Sequence, residues 1–310
     1  MSLQIVFPGP LTTVQDLGRK GYGKDAFSVS GVMDRYAAIT ANRLVGNEDN
    51  AAVLEMTVFG IRAVALDRTL VCFSGASFPV KVNGQLISLN TAVELHPGDL
   101  LDAGAAKDGC RGYLAVRGGF DVEKVMGSRS TNLKCGVGGF CGRKLVAGDI
   151  LPVAPVAFSK ELEGGSFSTE KYFGDRVTLR VIPGPQNERF DQTATDTFFN
   201  SEYTVTPQSD RMGIRLSGAM VTAKDGMDIV SDGVVPGCIQ IPDSGQPIIL
   251  GVDCQTTGGY AKIATVITAD LPAMGQLRPG NKIKFEVCTV EEAHKILRNA
   301  EKLLPPKAKR

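Results

Sequence analysis

The sequence predicts a mainly β protein, a β-rich α+β chain of two domains with few helices. Three observations predict it. Short runs rich in Val, Ile, Leu and Thr recur along the chain, and 36 glycines and 16 prolines punctuate them. Regularly spaced strands with Gly-rich turns build barrels or sandwiches. The length of 310 residues leaves room for about two domains at roughly 150 residues each.

The strand candidates follow in order. RTLVCFSGASFPVKVNGQLISL reads as strands, with Asn83–Gly84 as a tight hairpin turn. AVELHPGDLLDAG, RGYLAVRGGFDV, RVTLRVIPG, GCIQIPDSGQPIILGVD, AKIATVITADL and NKIKFEVCTV continue the pattern. Two stretches have helical spacing instead. MDRYAAITANRLVGN (33–47) carries Tyr36, Ala37, Ala41, Leu44 and Val45, then a Gly46–Asn47 stop. TVEEAHKILRNAEKLL (289–304) opens on a Thr289/Glu292 capping box, and Val290, Ala293, Ile296, Leu297, Ala300 and Leu304 share one face. The polar stretch 154–175 reads as a linker. The expected domains are therefore 1–160, a β-rich barrel, and 170–310, a barrel followed by the C-terminal helix.

Composition narrows the function. A net charge of +1 gives no global field for nucleic acid or anionic lipid. No apolar run approaches the roughly 20 residues of a membrane span, and no secretory leader is expected. Seven cysteines without a C-x-x-C pair fit a reducing cytoplasm. Only His96 and His294 could serve a histidine-based site, and neither stands beside a nucleophile motif. No metal site is expected, because no paired ligand spacing occurs. GRKGYGKD (18–25) mimics a phosphate-binding loop, but Asp25 stands where Ser or Thr is required. GVGGFCGRK (136–144) reads as a turn or as a backbone anion nest.

Several strings set polar side chains in apolar, Gly-rich surroundings. TTVQDLGRKGYG holds Gln15, Asp16 and Arg19, and SDRMGIRL holds Asp210, Arg211 and Arg215. Residues two apart on a strand share a face, so Arg211 and Arg215 are expected to point the same way. Two guanidinium groups on one face would grip a carboxylate or phosphate; the alternative is a solvated, salt-bridged strand. SDGVVPGCIQIP places Asp232 before a turn and Gln240 on a strand. DCQTTGGYAKI places Gln255, Thr256 and Thr257 before Gly258, Gly259 and Tyr260. Carboxamides and hydroxyls beside a Gly–Gly backbone suit an amide or ureido ligand.

In order along the chain, GPLTTVQDLGRKGYG, SGVMDRYAAITANRLVGN, LEMTVFG, GYLAVRGGFDV, GSRST, GGFCGRKL, VIPGPQ, SDRMGIRL, SDGVVPGCIQIP, QPIIL and QTTGGYAKIATVITADL carry a resemblance. The chain resembles the biotin-dependent carboxyltransferase-like family, which includes allophanate hydrolase subunit 2, the C-type component of 5-oxoprolinase and KipA. The resemblance covers nearly the whole chain. It implies two cyclophilin-like β-barrels and a partnership with a related, KipI-like B-type component. It implies a part of a cytoplasmic, ATP-dependent 5-oxoprolinase, completed by an A-type component, that opens 5-oxoproline to glutamate. One alternative is a carboxyltransferase for urea or another amide, using carboxybiotin carried elsewhere, since no A-M-K-M string occurs here. The other is a KipA-like regulator without catalysis. Under the leading reading Arg211, Asp210, Gln255 and Asp232 are the catalytic candidates. Gln15, Asp16, Arg19, Arg215, Gln240, Thr256, Thr257, Gly258, Gly259 and Tyr260 would bind substrate or nucleotide. Asp16, Asp210 and Asp232 could hold magnesium with ATP or orient an arginine.

Overall fold

A computed structural model of the chain describes residues 1–307. They divide into two units, one of Met1–Lys20, Ser30–Glu170 and 304–307, the other of Gly21–Val29 and Lys171–Leu303.

The first unit holds β1 (Ser2–Phe7), β2 (Thr12–Gln15), α1 (Arg35–Leu44), β3 (Val53–Thr57), β4 (Arg62–Ala65), β5 (Thr69–Gly75) and β6 (Val80–Val82). It continues through β7 (Gln85–Leu86), β8 (Ala92–Leu95), β9 (Leu100–Ala103), β10 (Arg111–Val116) and β11 (Ile150–Pro152). The strands form two sheets, β11-β1-β4-β9-β6-β7 and β2-β3-β10-β5-β8. One core serves both: Leu3 and Ile5 of the first sheet meet Leu54, Met56, Val71, Phe73, Leu114 and Val116 of the second. Strand alternation explains why β10 and β5 are buried on both faces. Val71, Phe73, Leu114 and Val116 face the shared core, whereas Leu70, Cys72, Tyr113 and Ala115 face α1. Ala37, Ala38 and Ala41 let that helix lie close to the sheet. Asp34 caps α1 by accepting from the Ala37 amide at 3.0 Å, and Gly46 follows it at φ +74°. The Asn83–Gly84 turn forms as expected, with both residues at positive φ between β6 and β7.

The expected linker is folded in part. Gly164 and Gly165 bond to Ala92 of β8, and Phe158 and Leu162 pack beside α1. Its polar composition hid these two apolar anchors.

The second unit holds β12 (Arg176–Pro183), α2 (Gln192–Asn200), β13 (Tyr203–Val205), β14 (Gly213–Ser217), β15 (Asp228–Gly233) and β16 (Cys238–Gln240). It continues through β17 (Ile248–Leu250), β18 (Thr257–Tyr260), β19 (Lys262–Val266), α3 (Leu271–Gly275), β20 (Lys282–Val287) and α4 (Val290–Lys302). Seven strands close a barrel in the order β12-β19-β16-β17-β14-β13-β20, and the parallel β12–β20 pair completes the ring. Leu179, Val181, Ile214, Leu216, Ile239, Ile249, Ile263 and Ile283 are buried along these strands. Phe198 of α2 stacks on Phe285 of β20 at 4.6 Å. β15 and β18 pair outside the barrel as a two-stranded ribbon. α4 carries the expected capping box, yet none of its residues is fully buried. The overall class is thus mainly β, with four α-helices among the described residues.

Candidate functional site

The ribbon and the barrel meet where β18 runs into β19. Only Ala261 separates them, and its amide donates to the Met227 carbonyl at 2.9 Å. The next residue, Lys262, is 1% exposed. An ammonium taken from water needs a charged partner and further acceptors. Lys262 Nζ donates to Asp232 Oδ2 at 2.7 Å and to the Gly233 carbonyl at 3.3 Å, both on β15. The partner is placed unlike the lysine, for the Asp232 side chain is 52% exposed.

Gln186 bridges the pair. It follows the Pro183–Gly184–Pro185 turn that ends β12. A Cβ at Gly184 would stand 2.2 Å from the Lys262 carbonyl oxygen, so only glycine lets this turn approach β19. Gln186 Nε2 donates to Asp232 Oδ2 at 3.3 Å, and its Oε1 accepts from the Lys262 amide at 3.3 Å. The Lys262 ammonium, then the Gly233 amide and Gln186, hold the Asp232 carboxyl below the ordinary aspartate range. Gln240 of β16 is buried beside them and donates from Nε2 to the Tyr260 carbonyl at 3.2 Å. A Cβ at Gly258 would lie 2.5 Å from that nitrogen. Asp232, Gln240, Gly258 and Tyr260 therefore come together as one polar cluster. Gly259 continues the ribbon, while Thr257 and Tyr260 are exposed and Thr256 is half-buried.

Other expected residues are placed differently. Arg211 and Arg215 do not share a face as a free pair. β14 begins only at Gly213; Arg211 lies buried ahead of it, held by Asp253, whereas Arg215 is exposed on the strand. The strand spacing that linked them does not extend back to Arg211. Asp210 closes a turn, its Oδ1 accepting from the Met212 and Gly213 amides at 2.8 and 3.1 Å. Gln255 is exposed in the loop before β18.

Gln15, Asp16 and Arg19 lie in the first unit and hold two loops together. Asp16 accepts from the Gly18 amide at 2.8 Å, and from Ser128 Oγ, the Arg129 amide and Ser130 Oγ, each at 2.6 Å. Arg19, 1% exposed, donates to the Val125 and Ser130 carbonyls at 3.2 and 2.9 Å. Gln15 Nε2 donates to Thr13 Oγ1 and the Thr131 carbonyl. Gly138, Gly139 and Gly142 serve close packing here; a Cβ at Gly139 would stand 1.8 Å from Thr131 Oγ1.

The unanticipated members of the cluster are Lys262 and Gln186. A single lysine inside the apolar strand AKIATVI was the available signal, and the Pro-Gly-Pro turn was the other. Chemically the cluster offers one ammonium, two carboxamides and a backbone bared by glycine. Those groups suit a small ligand carrying an amide and a negative charge. Among the described residues, no three His, Cys, Asp or Glu come together as metal ligands.

Residues 26–287 match the model for the carboxyltransferase domain, subdomain A and B. The chain is 38% identical to the C component of 5-oxoprolinase from Escherichia coli (strain K12), across 94% of this chain and 93% of that protein. Among solved structures it is similar to TTHA0988, with a TM-score of 0.85 and 34% identity over 92% of this chain and 55% of that one. Kluyveromyces lactis urea carboxylase gives a TM-score of 0.89 at 29% identity, over 100% of this chain and 31% of that one. The chain thus spans about half the length of TTHA0988 and under a third of the urea carboxylase. Both the matched span and the near-full-length likeness place this chain in the carboxyltransferase family defined by subdomains A and B.

Proposed function

We propose that this chain is the C-type component of an ATP-dependent 5-oxoprolinase, which opens the ring amide of 5-oxoproline to give glutamate. The observation that carries this reading is the likeness to the Escherichia coli 5-oxoprolinase C component over 94% of this chain and 93% of that protein. The polar cluster supports it. 5-Oxoproline carries one secondary ring amide and one carboxylate. Gln186 and Gln240 offer donors and acceptors for the amide, and Lys262, paired here with the exposed Asp232, would offer its positive charge to a carboxylate that took the place of Asp232. In ring opening the amide C–N bond breaks, hydroxyl from water adds to the carbonyl carbon, and the nitrogen takes a proton. Donors directed at the carbonyl oxygen stabilise the charge that builds there.

ATP fits this chain less well. The expected phosphate clamp needs two free arginines, and Arg211 is already bound to Asp253. We therefore derive no nucleotide step from these residues and assign ATP, with its magnesium, to the A-type partner or the KipI-like B-type partner. A cytoplasmic setting accompanies the reading, supported by seven free cysteines. No helix among the described residues is long and apolar enough to cross a membrane.

A second reading is favoured by the likeness to urea carboxylase across the whole chain. Here the cluster would take an amide and the carboxyl group of carboxybiotin borne on another protein. Reconstitution separates the two. The chain is purified alone and with its A-type and B-type partners, and glutamate release from 5-oxoproline is followed with and without ATP. Glutamate formed only by the full mixture with ATP is the expected result. A stable complex that forms none overturns the first reading, and carboxyl transfer to urea is assayed next.

A further inference from the structure

We propose that Lys262 is an anion-receiving residue whose resident partner, Asp232, is exchanged for the carboxylate of a small amide-bearing ligand. The identity of that ligand as 5-oxoproline rests on the function proposed above; the exchange itself does not.

The two halves of the ion pair differ in how firmly they are held. Lys262 is 1% exposed and fixed in a barrel strand, so its ammonium cannot turn to water. Asp232 is 52% exposed on the ribbon. Pairing between β15 and β18 shifts between Asp228 and Asp232, and Asp232 and Gly233 alone pair at that end, with Gly258 and Thr257. Two-stranded ribbons are marginally stable, and such elements open at low cost. A carboxylate that leaves regains its hydration, whereas the buried ammonium left behind requires another anion. Gln186 Nε2 already points at the position of the departing oxygen and can donate to its replacement. The Gly233 carbonyl also accepts from the Lys262 ammonium, and Gln240 stands opposite Lys262 on the neighbouring strand. A planar carboxylate next to an amide is the class these groups accept together.

The test uses the full chain labelled with 13C-lysine. The Lys262 ε-methylene signal is assigned by its loss in Lys262→Met and followed by NMR at constant ionic strength. Acetate and 5-oxoproline are the carboxylate probes; chloride and 2-pyrrolidone, the same ring without a carboxylate, are the controls. The expected result is a saturable shift with both carboxylates and with neither control. Asp232→Asn removes the competing internal anion and should lower the half-saturating acetate concentration at least tenfold. A shift with acetate but not 5-oxoproline supports the exchange and overturns the substrate assignment. Absence of any saturable shift in the wild-type chain, which needs no variant to fold, overturns the proposal and makes the pair a fixed structural one.

Discussion

Arg211 and Asp253 are joined at two points, Nε to Oδ2 at 2.7 Å and Nη2 to Oδ1 at 3.2 Å, with side chains 6% and 7% exposed. Their backbones are tied as well, since the Asp253 amide donates to the Arg211 carbonyl at 3.0 Å. A Cβ at Gly251 would stand 2.2 Å from that carbonyl oxygen. The loop before β14 and the loop after β17 are therefore locked by one buried ion pair. So engaged, Arg211 ties the two loops together.

Arg211→Ala strands the Asp253 carboxylate in the interior. Breaking a buried pair costs about 3–5 kcal/mol. Denaturant unfolding should show that loss, with specific activity per folded molecule kept in the reconstituted complex. Arg211→Ala/Asp253→Ala should lose less than the two single changes added together. A full loss of activity at unchanged stability would restore Arg211 to the catalytic set.

Thiol reactivity should divide the seven cysteines. Cys135 and Cys141 are exposed, whereas Cys72, Cys110, Cys238, Cys254 and Cys288 are buried. Burial also pushes the Cys72 and Cys254 thiols up to about 12. A maleimide should add twice to the native chain within minutes at neutral pH, and reach the other five positions only on unfolding. Mass spectrometry of the labelled peptides reads the result.

Acid stability should depend on Asp149. Its carboxylate accepts from Arg143 Nη1 and Nη2 at 2.8 and 2.7 Å, and the Arg143 guanidinium holds it below the ordinary value of 3.8. Arg43 acts likewise on Asp49. The unfolded chain then binds protons first as pH falls. The stabilisation is present in full above about pH 4 and declines as pH drops through the lowered folded values. Urea midpoints measured from pH 6 to pH 2.5 should fall at the acid end, and Asp149→Asn should shallow that decline.

Thr289→Ala should cost about 1 kcal/mol, the usual worth of an N-cap. Thr289 Oγ1 accepts from the Glu292 amide at 3.2 Å while Glu292 Oε2 accepts from the Thr289 amide at 2.8 Å. Because α4 has no buried residue, the loss should be confined to that helix and seen as faster hydrogen exchange across residues 290–302.

Much of this architecture was legible in residue order, because strands, turns and caps are local devices. Asn83–Gly84 adopted the two positive φ angles that its hairpin requires, and Thr289 with Glu292 formed the capping box that begins the last helix. The polar cluster was legible only in part. Asp232, Gln240, Gly258 and Tyr260 stood out as polar or glycine positions in apolar strings, but nothing local distinguished them from Asp210 or Gln255, which close or line exposed loops. Lys262 was harder to read, because a lone lysine in a strand commonly turns its ammonium outward to water.

The sequence by itself determined the mainly β class, the hairpin, the two longest helices and the family resemblance, since each depends on neighbours a few residues apart or on ordered motifs. Tertiary structure decided which charges are free. Arg211 found its carboxylate 42 residues away and Lys262 found Asp232 at 30. The β14–β17 pairing brings the first two together and the β15–β18 ribbon brings Asp232 to Lys262, because a buried charge folds only beside a counter-charge that another segment brings to it.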